Sequence, residues 1–107
     1  MSNAIEKIER AIVTEALMGL LDAGYYVSVN DGEDMPINYS RDLDEILAAL
    51  WAADVEWLIA SERRADGQYL NVGAICLVYG NDGFDVMQDW SESIHNAIQR
   101  AVDIATS

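Results

Sequence analysis

The chain has 107 residues, with 19 acidic and six basic side chains and a formal net charge of −13. A charge of this sign repels nucleic acid and anionic lipid, so we expect no direct nucleic-acid partner and no membrane partner. Apolar residues make up 51% of the chain, which excludes a disordered acidic tail and indicates a single folded domain over residues 1–107.

The sequence predicts a cytoplasmic protein. No apolar stretch is long enough to cross a membrane, and the chain does not open with the basic and apolar regions of a secretory signal. Cys76 is the only cysteine, so an internal disulfide is excluded. It lies in an apolar run over residues 72–78, where a thiol usually acts as a small buried hydrophobic group.

Apolar residues at three- and four-residue steps predict a first helix over residues 4–23. The apolar stripe consists of Ile5, Ile8, Ile12, Ala16, Leu17, Leu20 and Leu21. Gly24 suits the left-handed position just after the last turn. Ala11, Val13 and Met18 widen the stripe. A wider stripe offers a surface for a homodimer partner, and burial against the sheet of the same chain is the alternative.

A first hairpin follows this helix. Residues 25–30 alternate as a strand, the turn Asn30-Asp31-Gly32-Glu33 contains the Asp-Gly pair that tight turns favour, and a return strand is predicted around residues 35–39. Pro36 has no amide hydrogen to donate, so the return strand is predicted at an edge of the sheet.

A second helix and a third strand come next. Ser40 or Asp42 is predicted to cap a helix that ends near Ala53. From residue 55 the apolar period changes to two, which predicts a half-buried strand with Trp57 on a face at or near the core.

The last third of the chain predicts another hairpin. Residues 68–80 are apolar on both faces, which is typical of a central strand. Asn81-Asp82-Gly83 predicts a tight turn into a strand over residues 84–90, with Phe84 on a face at or near the core. In that strand Asp85 and Asp89 share one face, about 13 Å apart by strand rise. This separation is too wide for a glycosidase pair.

A final helix is predicted from Ser91 to about Ala105. The order of elements is therefore α-β-β-α-β-β-β-α. We predict an α+β fold with a five-stranded, largely antiparallel sheet whose helices pack mainly on one face.

The second hairpin resembles a known motif. Residues 77–90, with the sequence LVYGNDGFDVMQDW, are similar to the YGNDG hairpin of small uncharacterised proteins of proteobacteria that often lie near phage or plasmid genes. Residues 27–33 are similar to the first hairpin of that family, and residues 39–50 to the start of its middle helix. The family has no assigned activity, so the resemblance implies a fold and a genetic context only.

No catalytic, cofactor or metal site is predicted. His95 is the sole histidine, and no local signature pairs it with Cys76 as a nucleophile. The acidic turns lack the alternating ligands and distal glutamate of a calcium-binding loop, so turn chemistry explains them more simply than a metal ion. We therefore predict a protein that is not an enzyme.

The hypothesis for function is a module that binds a basic protein surface. The candidate partner-binding residues are Asp31, Glu33, Asp34, Asp82, Asp85, Asp89 and Trp90. In its sharper form the protein is an inhibitor from a phage or mobile element that mimics the charge of nucleic acid and blocks a host defence or DNA-handling protein. The alternative is a small homodimeric domain of regulatory or unknown role, joined through the first helix and without polyanion mimicry.

Overall fold

Three α-helices and five β-strands follow one another in the predicted order, which confirms the α+β assignment. The computed structural model describes residues 4–106. The helices are α1 (Ala4–Asp22), α2 (Leu43–Ala49) and α3 (Gln99–Ala105), and a short 3₁₀ helix (Glu92–Ile94) precedes α3. The strands are β1 (Tyr26–Asn30), β2 (Ile37–Ser40), β3 (Val55–Arg63), β4 (Tyr69–Val78) and β5 (Met87–Trp90).

The five strands form one sheet in the order β2-β1-β3-β4-β5, and every neighbouring pair is antiparallel. The prediction of β2 at an edge is confirmed, and Pro36 lies directly before that strand. The prediction of residues 68–80 as the central strand is wrong, because β3 occupies the centre and β4 lies beside the edge strand β5. β4 is apolar on both sides because its outward side chains belong to a second apolar face, described below.

The helices cover one face of the sheet, which we call the inner face. Its side chains are fully buried with apolar residues of α1, α2 and the C-terminal segment. The inner-face residues are Val27, Val29, Leu58, Ala60, Ile75 and Leu77, and their main helical neighbours are Ile12, Leu17, Leu20, Ile46 and Ile98. The opposite face, which we call the outer face, carries the alternate side chains of the same strands.

The predicted end of α1 is confirmed by its capping geometry. Gly24 has a φ of +92°, and its N–H donates to the carbonyl of Leu21 at 3.0 Å, while the N–H of Tyr25 donates to the carbonyl of Leu20 at 3.1 Å. This pair of bonds is a Schellman motif, which satisfies carbonyls that the helix leaves free. The Arg41 guanidinium also donates to the carbonyls of Leu21 and Tyr25, at 3.0 and 2.7 Å.

The widened stripe of α1 is partly buried inside the chain. Val13 is fully buried, while Ala11 and Met18 are exposed. A homodimer through this helix stays a prediction.

α2 begins as predicted and ends earlier. The side chain of Asp42 accepts from the N–H groups of Asp44 at 3.0 Å and Glu45 at 3.3 Å. The helix stops at Ala49 and does not continue to the neighbourhood of Ala53. Trp51 has a φ of +66°, which no α-helix tolerates, and a carboxylate of β3 binds the backbone here in place of a further helical turn.

The predicted final helix is broken into two pieces. The side chains of Ser91 and Ser93 bind the backbone of β4: the Ala74 N–H donates to Ser91 Oγ at 3.0 Å, and Ser93 Oγ donates to the Val72 carbonyl at 2.8 Å. A Cβ at Gly73 would lie 2.8 Å from Ser93 Oγ, so the segment needs a glycine beneath it. These contacts hold the 3₁₀ helix against the sheet, and α3 starts only at Gln99.

Candidate functional site

Three loops meet at one end of the sheet. β1 and β4 finish at this end and β2, β3 and β5 begin there, because all neighbouring strands are antiparallel. The loops span residues 31–36, 50–54 and 79–86, and we call them the first, middle and third loops. Together they carry six carboxylates and neither lysine nor arginine: Asp31, Glu33, Asp34, Asp54, Asp82 and Asp85. We call this surface the acidic end.

The first and third loops of the acidic end lie on either side of the start of β3, the middle strand of the sheet. The first loop joins β1 to β2 and the third joins β4 to β5, with the start of β3 between them. Three strand spacings of about 4.8 Å place these loops about 14 Å apart. Five of the seven predicted partner-binding residues therefore lie at one end of the molecule.

Asp31 shapes the first loop. One of its carboxylate oxygens accepts from the N–H groups of Asp34 at 2.7 Å and Glu33 at 3.0 Å, and Gly32 adopts a φ of +97°. The Asp34 bond and then the Glu33 bond lower the pKa of Asp31, because both stabilise its ionised form. Asp31 thus organises the turn, while the side chains of Glu33 and Asp34 are exposed to solvent.

The third loop is longer than the tight hairpin that its sequence predicts. Eight residues separate β4 from β5, and only residues 87–90 of the predicted strand over 84–90 are strand. Gly83 has a φ of +94° and packs on α1, where an added Cβ would lie 3.0 Å from Ile8 Cβ and 3.1 Å from the Ile5 carbonyl oxygen. Contact with the helix layer therefore replaces the short turn.

The long third loop changes the positions of three predicted residues. Asp85 lies in the loop, so it does not share a strand face with Asp89. The side chain of Asp82 accepts from the Asp85 N–H at 3.2 Å, and both carboxylates are exposed. Phe84 is 40% exposed, which corrects the prediction that it lies on a face at or near the core.

A buried glutamate accepts hydrogen bonds from the backbone of the middle loop. Glu56 is fully buried and accepts from the N–H groups of Trp51 at 2.8 Å and Ala52 at 3.2 Å. It also accepts from the hydroxyl of Tyr79 at 2.7 Å. Burial of the phenol, together with the carboxylate of Glu56, raises the pKa of Tyr79 well above its ordinary value. One side chain therefore fixes the middle loop and the start of the third.

A second buried glutamate acts in the same region. Glu9 of α1 is only 4% exposed and accepts from the Gly80 N–H at 2.7 Å. Neither role was foreseen, because a glutamate in a helix or an alternating strand usually faces water. For Glu56, the signal of burial that the sequence offered is its position inside an otherwise apolar stretch.

Arg10 is the basic residue packed against this region. Its guanidinium carbon lies 4.2 Å from the centre of the Trp51 ring, and its Nε forms an ion pair with Glu6 at 3.2 Å. Trp51 in turn stacks on Tyr79, with ring centres 5.6 Å apart. The charge of Arg10 is therefore paired with its own helix neighbour, and its guanidinium covers the Trp51 ring.

Asp89 and Trp90 lie apart from the acidic end, further along β5. Asp89 pairs with Cys76 across the outer face and accepts from the N–H of Trp90 at 2.9 Å. Trp90 is half-buried, and its indole N–H donates to Nδ1 of His95 at 3.0 Å. Asp89 therefore belongs to the outer face of the sheet, whereas Trp90 pairs with the inner-face residue Ile75 and packs against the core.

The outer face is apolar at its centre. Trp57 is 36% exposed there, which corrects the prediction that it lies at or near the core. It borders a shallow groove of about 250 Å³, lined also by Ala74, Cys76, Asp89, Trp90 and Ser91. Cys76 is half-buried on this face and not fully buried as expected.

The groove has little capacity for nucleophilic chemistry. Partial burial, and then the nearby Asp89, raise the pKa of the Cys76 thiol, which disfavours the reactive thiolate. Nδ1 of His95 is occupied by the Trp90 indole. Within residues 4–106, no three histidine, cysteine, aspartate or glutamate side chains are grouped closely enough to hold a metal ion.

Comparison with known proteins identifies no relative. No protein-family model matches the chain, and no curated protein or solved structure is significantly similar to it. The resemblance of residues 77–90 to the phage- and plasmid-associated family therefore stays a prediction. None of the helices within residues 4–106 is long and apolar enough to span a membrane.

Proposed function

We propose that the protein is a non-enzymatic binding module whose acidic end engages a basic surface of a partner protein. The observation that supports this is the gathering of six carboxylates on three adjacent loops that contain no lysine or arginine. A surface of this kind attracts basic partners over long range and accelerates encounter. The partner class that fits best is a protein that binds nucleic acid, because its basic channel already accepts a dense row of negative charges.

The acidic end is well suited to mimic phosphates because its loops are held in place. Glu56 and Glu9 bind the backbone of the middle and third loops from inside, and Asp31 binds the backbone of the first. Loops that are already ordered lose less conformational freedom on binding. Carboxylates on a rigid surface therefore bind more strongly than the same number on a mobile tail.

The sharper form of the proposal is an inhibitor carried by a phage or mobile element. It would occupy the nucleic-acid channel of a host defence or DNA-handling protein in the cytoplasm. The resemblance of residues 77–90 to phage- and plasmid-associated proteins supports this context, and a single free thiol suits a reducing compartment. The net charge of −13 argues against direct contact with nucleic acid.

Two charge-neutralised variants test the proposal. The acidic-end variant carries Glu33→Gln, Asp34→Asn, Asp82→Asn and Asp85→Asn. The control variant carries the same number of neutral substitutions outside the acidic end, namely Asp44→Asn, Glu45→Gln, Glu62→Gln and Glu92→Gln. All eight side chains are exposed.

Immobilised wild type and control variant should both retain a basic nucleic-acid-binding protein from a nuclease-treated bacterial lysate, and added duplex DNA should elute it. The acidic-end variant should not retain that protein. The proposal fails if DNA elutes nothing, or if both variants retain the same protein equally.

A further inference from the structure

Within residues 4–106, no helix lies over the outer face of the sheet. The two strands at its centre present uncharged side chains there, and Asp89 of the edge strand β5 lies beside them. β3 and β4 place six apolar side chains there, in three cross-strand pairs: Val55 with Val78, Trp57 with Cys76, and Ile59 with Ala74. An apolar patch of this extent on a chain of net charge −13 points to contact with another protein surface.

Opposite charges flank this patch at its two ends. The first loop reaches it at the acidic end, where an added Cβ on Gly32 would lie 3.9 Å from Cζ3 of Trp57. Asp31 and Glu33 adjoin this contact. The outer face is therefore negative at the end where β3 begins.

Arginines border the patch at the other end. The guanidinium carbon of Arg41 lies 5.5 Å from the ring centre of Tyr26, and that of Arg63 lies 5.6 Å from the ring centre of Tyr69. The two tyrosine rings are 5.3 Å apart and sit on the outer face, because Val27 beside Tyr26 points inward. Two guanidinium groups therefore border the outer face where β3 ends.

We infer that the outer face binds a second copy of the chain, with the strands of the two copies antiparallel. A twofold axis across the middle of β3, near Ile59, would set the acidic end of each copy against the arginine end of the other. Both charge contacts are then attractive, and the uncharged centres pack together. A parallel arrangement would bring carboxylates against carboxylates.

The extent of the outer face indicates a reversible dimer. The five strands contain 5, 4, 9, 10 and 4 residues. At about 3.3 Å per residue and about 4.8 Å between strands, the sheet covers roughly 500 Å² per copy. A total near 1,000 Å² is at the lower limit for a specific interface and is the size of weak, transient complexes. The third loop leans toward α1, so Asp82 and Asp85 stay available to a partner in the dimer.

Sedimentation equilibrium of the full chain from low to high micromolar concentration tests the inference. Wild type should show a monomer–dimer equilibrium, and Trp57→Asp should weaken it at least about a hundredfold by placing a charge at the apolar centre. Leu70→Asp is the matched control: it adds the same charge to β4 at a side chain that is 49% exposed and lies off the outer face. It should dimerise as wild type does.

A charge exchange tests the antiparallel arrangement without altering the apolar centre. Glu33→Lys and Arg63→Glu each make both end contacts repulsive in their own homodimer, so each variant alone should be largely monomeric. An equimolar mixture makes both contacts attractive and should form a heterodimer with about the wild-type affinity. Glu33 and Arg63 are exposed, so neither substitution should disturb folding.

The inference is overturned if wild type stays monomeric at high micromolar concentration, or if Trp57→Asp and Leu70→Asp weaken the dimer equally. It also fails if the Glu33→Lys and Arg63→Glu mixture stays monomeric. Trp57→Asp keeps every carboxylate of the acidic end, so it should still retain the lysate protein. Failure of the dimer is thus distinguishable from failure of the proposed function.

Discussion

Replacing Glu56 with leucine is expected to lower the free energy of unfolding by about 3 kcal/mol, one of the two largest effects that we predict for a single substitution. The change leaves the N–H groups of Trp51 and Ala52 and the hydroxyl of Tyr79 without their acceptor. Each unsatisfied buried donor costs about 1–3 kcal/mol, and relief of the carboxylate's own desolvation offsets part of the total. Urea denaturation followed by tryptophan fluorescence measures the loss.

Two further variants show whether the loss of stability comes from removing the buried hydrogen-bond acceptor. Tyr79→Phe removes one of the three donors and should cost about 1.5 kcal/mol, about half as much. Glu62→Gln changes an exposed glutamate on the same strand and should stay within about 0.5 kcal/mol of wild type. A Glu56→Leu protein as stable as wild type would show that Glu56 does not hold the middle loop.

Gly19→Ala is expected to destabilise the protein by about 2 kcal/mol, although helix propensity alone predicts a gain of about 1 kcal/mol. A Cβ at this position of α1 would overlap the carbonyl oxygen of Ala97 and lie 3.1 Å from its carbonyl carbon. The clash involves backbone on both sides, so no flexible side chain can move to relieve it. For a chain of this length the melting temperature should fall by about 10 °C.

Gly24→Ala is the matched control for this position. Gly24 has no other group within 4 Å of an added Cβ, and only its φ of +92° opposes the substitution. The cost should be about 1 kcal/mol, from backbone strain alone. If Gly19→Ala raised the melting temperature, the close approach of α1 to the segment before α3 would be refuted.

Much of the fold follows from local signals in the sequence. The stripe of α1 and its terminal Gly24, the cap at Asp42 and the change to a period of two at β3 each have a short-range cause. The placement of β2 at an edge follows from Pro36 in the same way. These elements do not depend on distant parts of the chain.

The faces of β3 could not be predicted in this way. Val55, Trp57 and Ile59 alternate with Glu56, Leu58 and Ala60, so the period identifies a strand without showing which set is buried. The glutamate set is the buried one, because Glu56 finds its donors in the middle loop and at the start of the third loop. Sequence reasoning placed Trp57 at or near the core and so missed the outer apolar face.

The third loop shows how a distant contact changes a local preference. Asn81-Asp82-Gly83 favours a tight turn, yet the loop extends to eight residues because Gly83 packs on Ile8 of α1.

The clustering of the acidic loops also depends on tertiary structure. It results from the antiparallel order of the strands, and the sequence alone left open whether the two hairpins point the same way.

The most direct test of the central claim is the binding of a fluorescently labelled oligolysine peptide to wild type and the two charge-neutralised variants, measured from about 50 to about 300 mM salt. If the acidic end is the binding surface, losing four exposed charge contacts of about 0.2–1 kcal/mol each should weaken binding roughly fourfold to several hundredfold in the acidic-end variant. The control variant, with the same net charge, should bind within about threefold of wild type, and the differences should shrink as salt rises. Equal weakening of both variants would contradict the account, because the peptide would then respond to total charge and not to the acidic end.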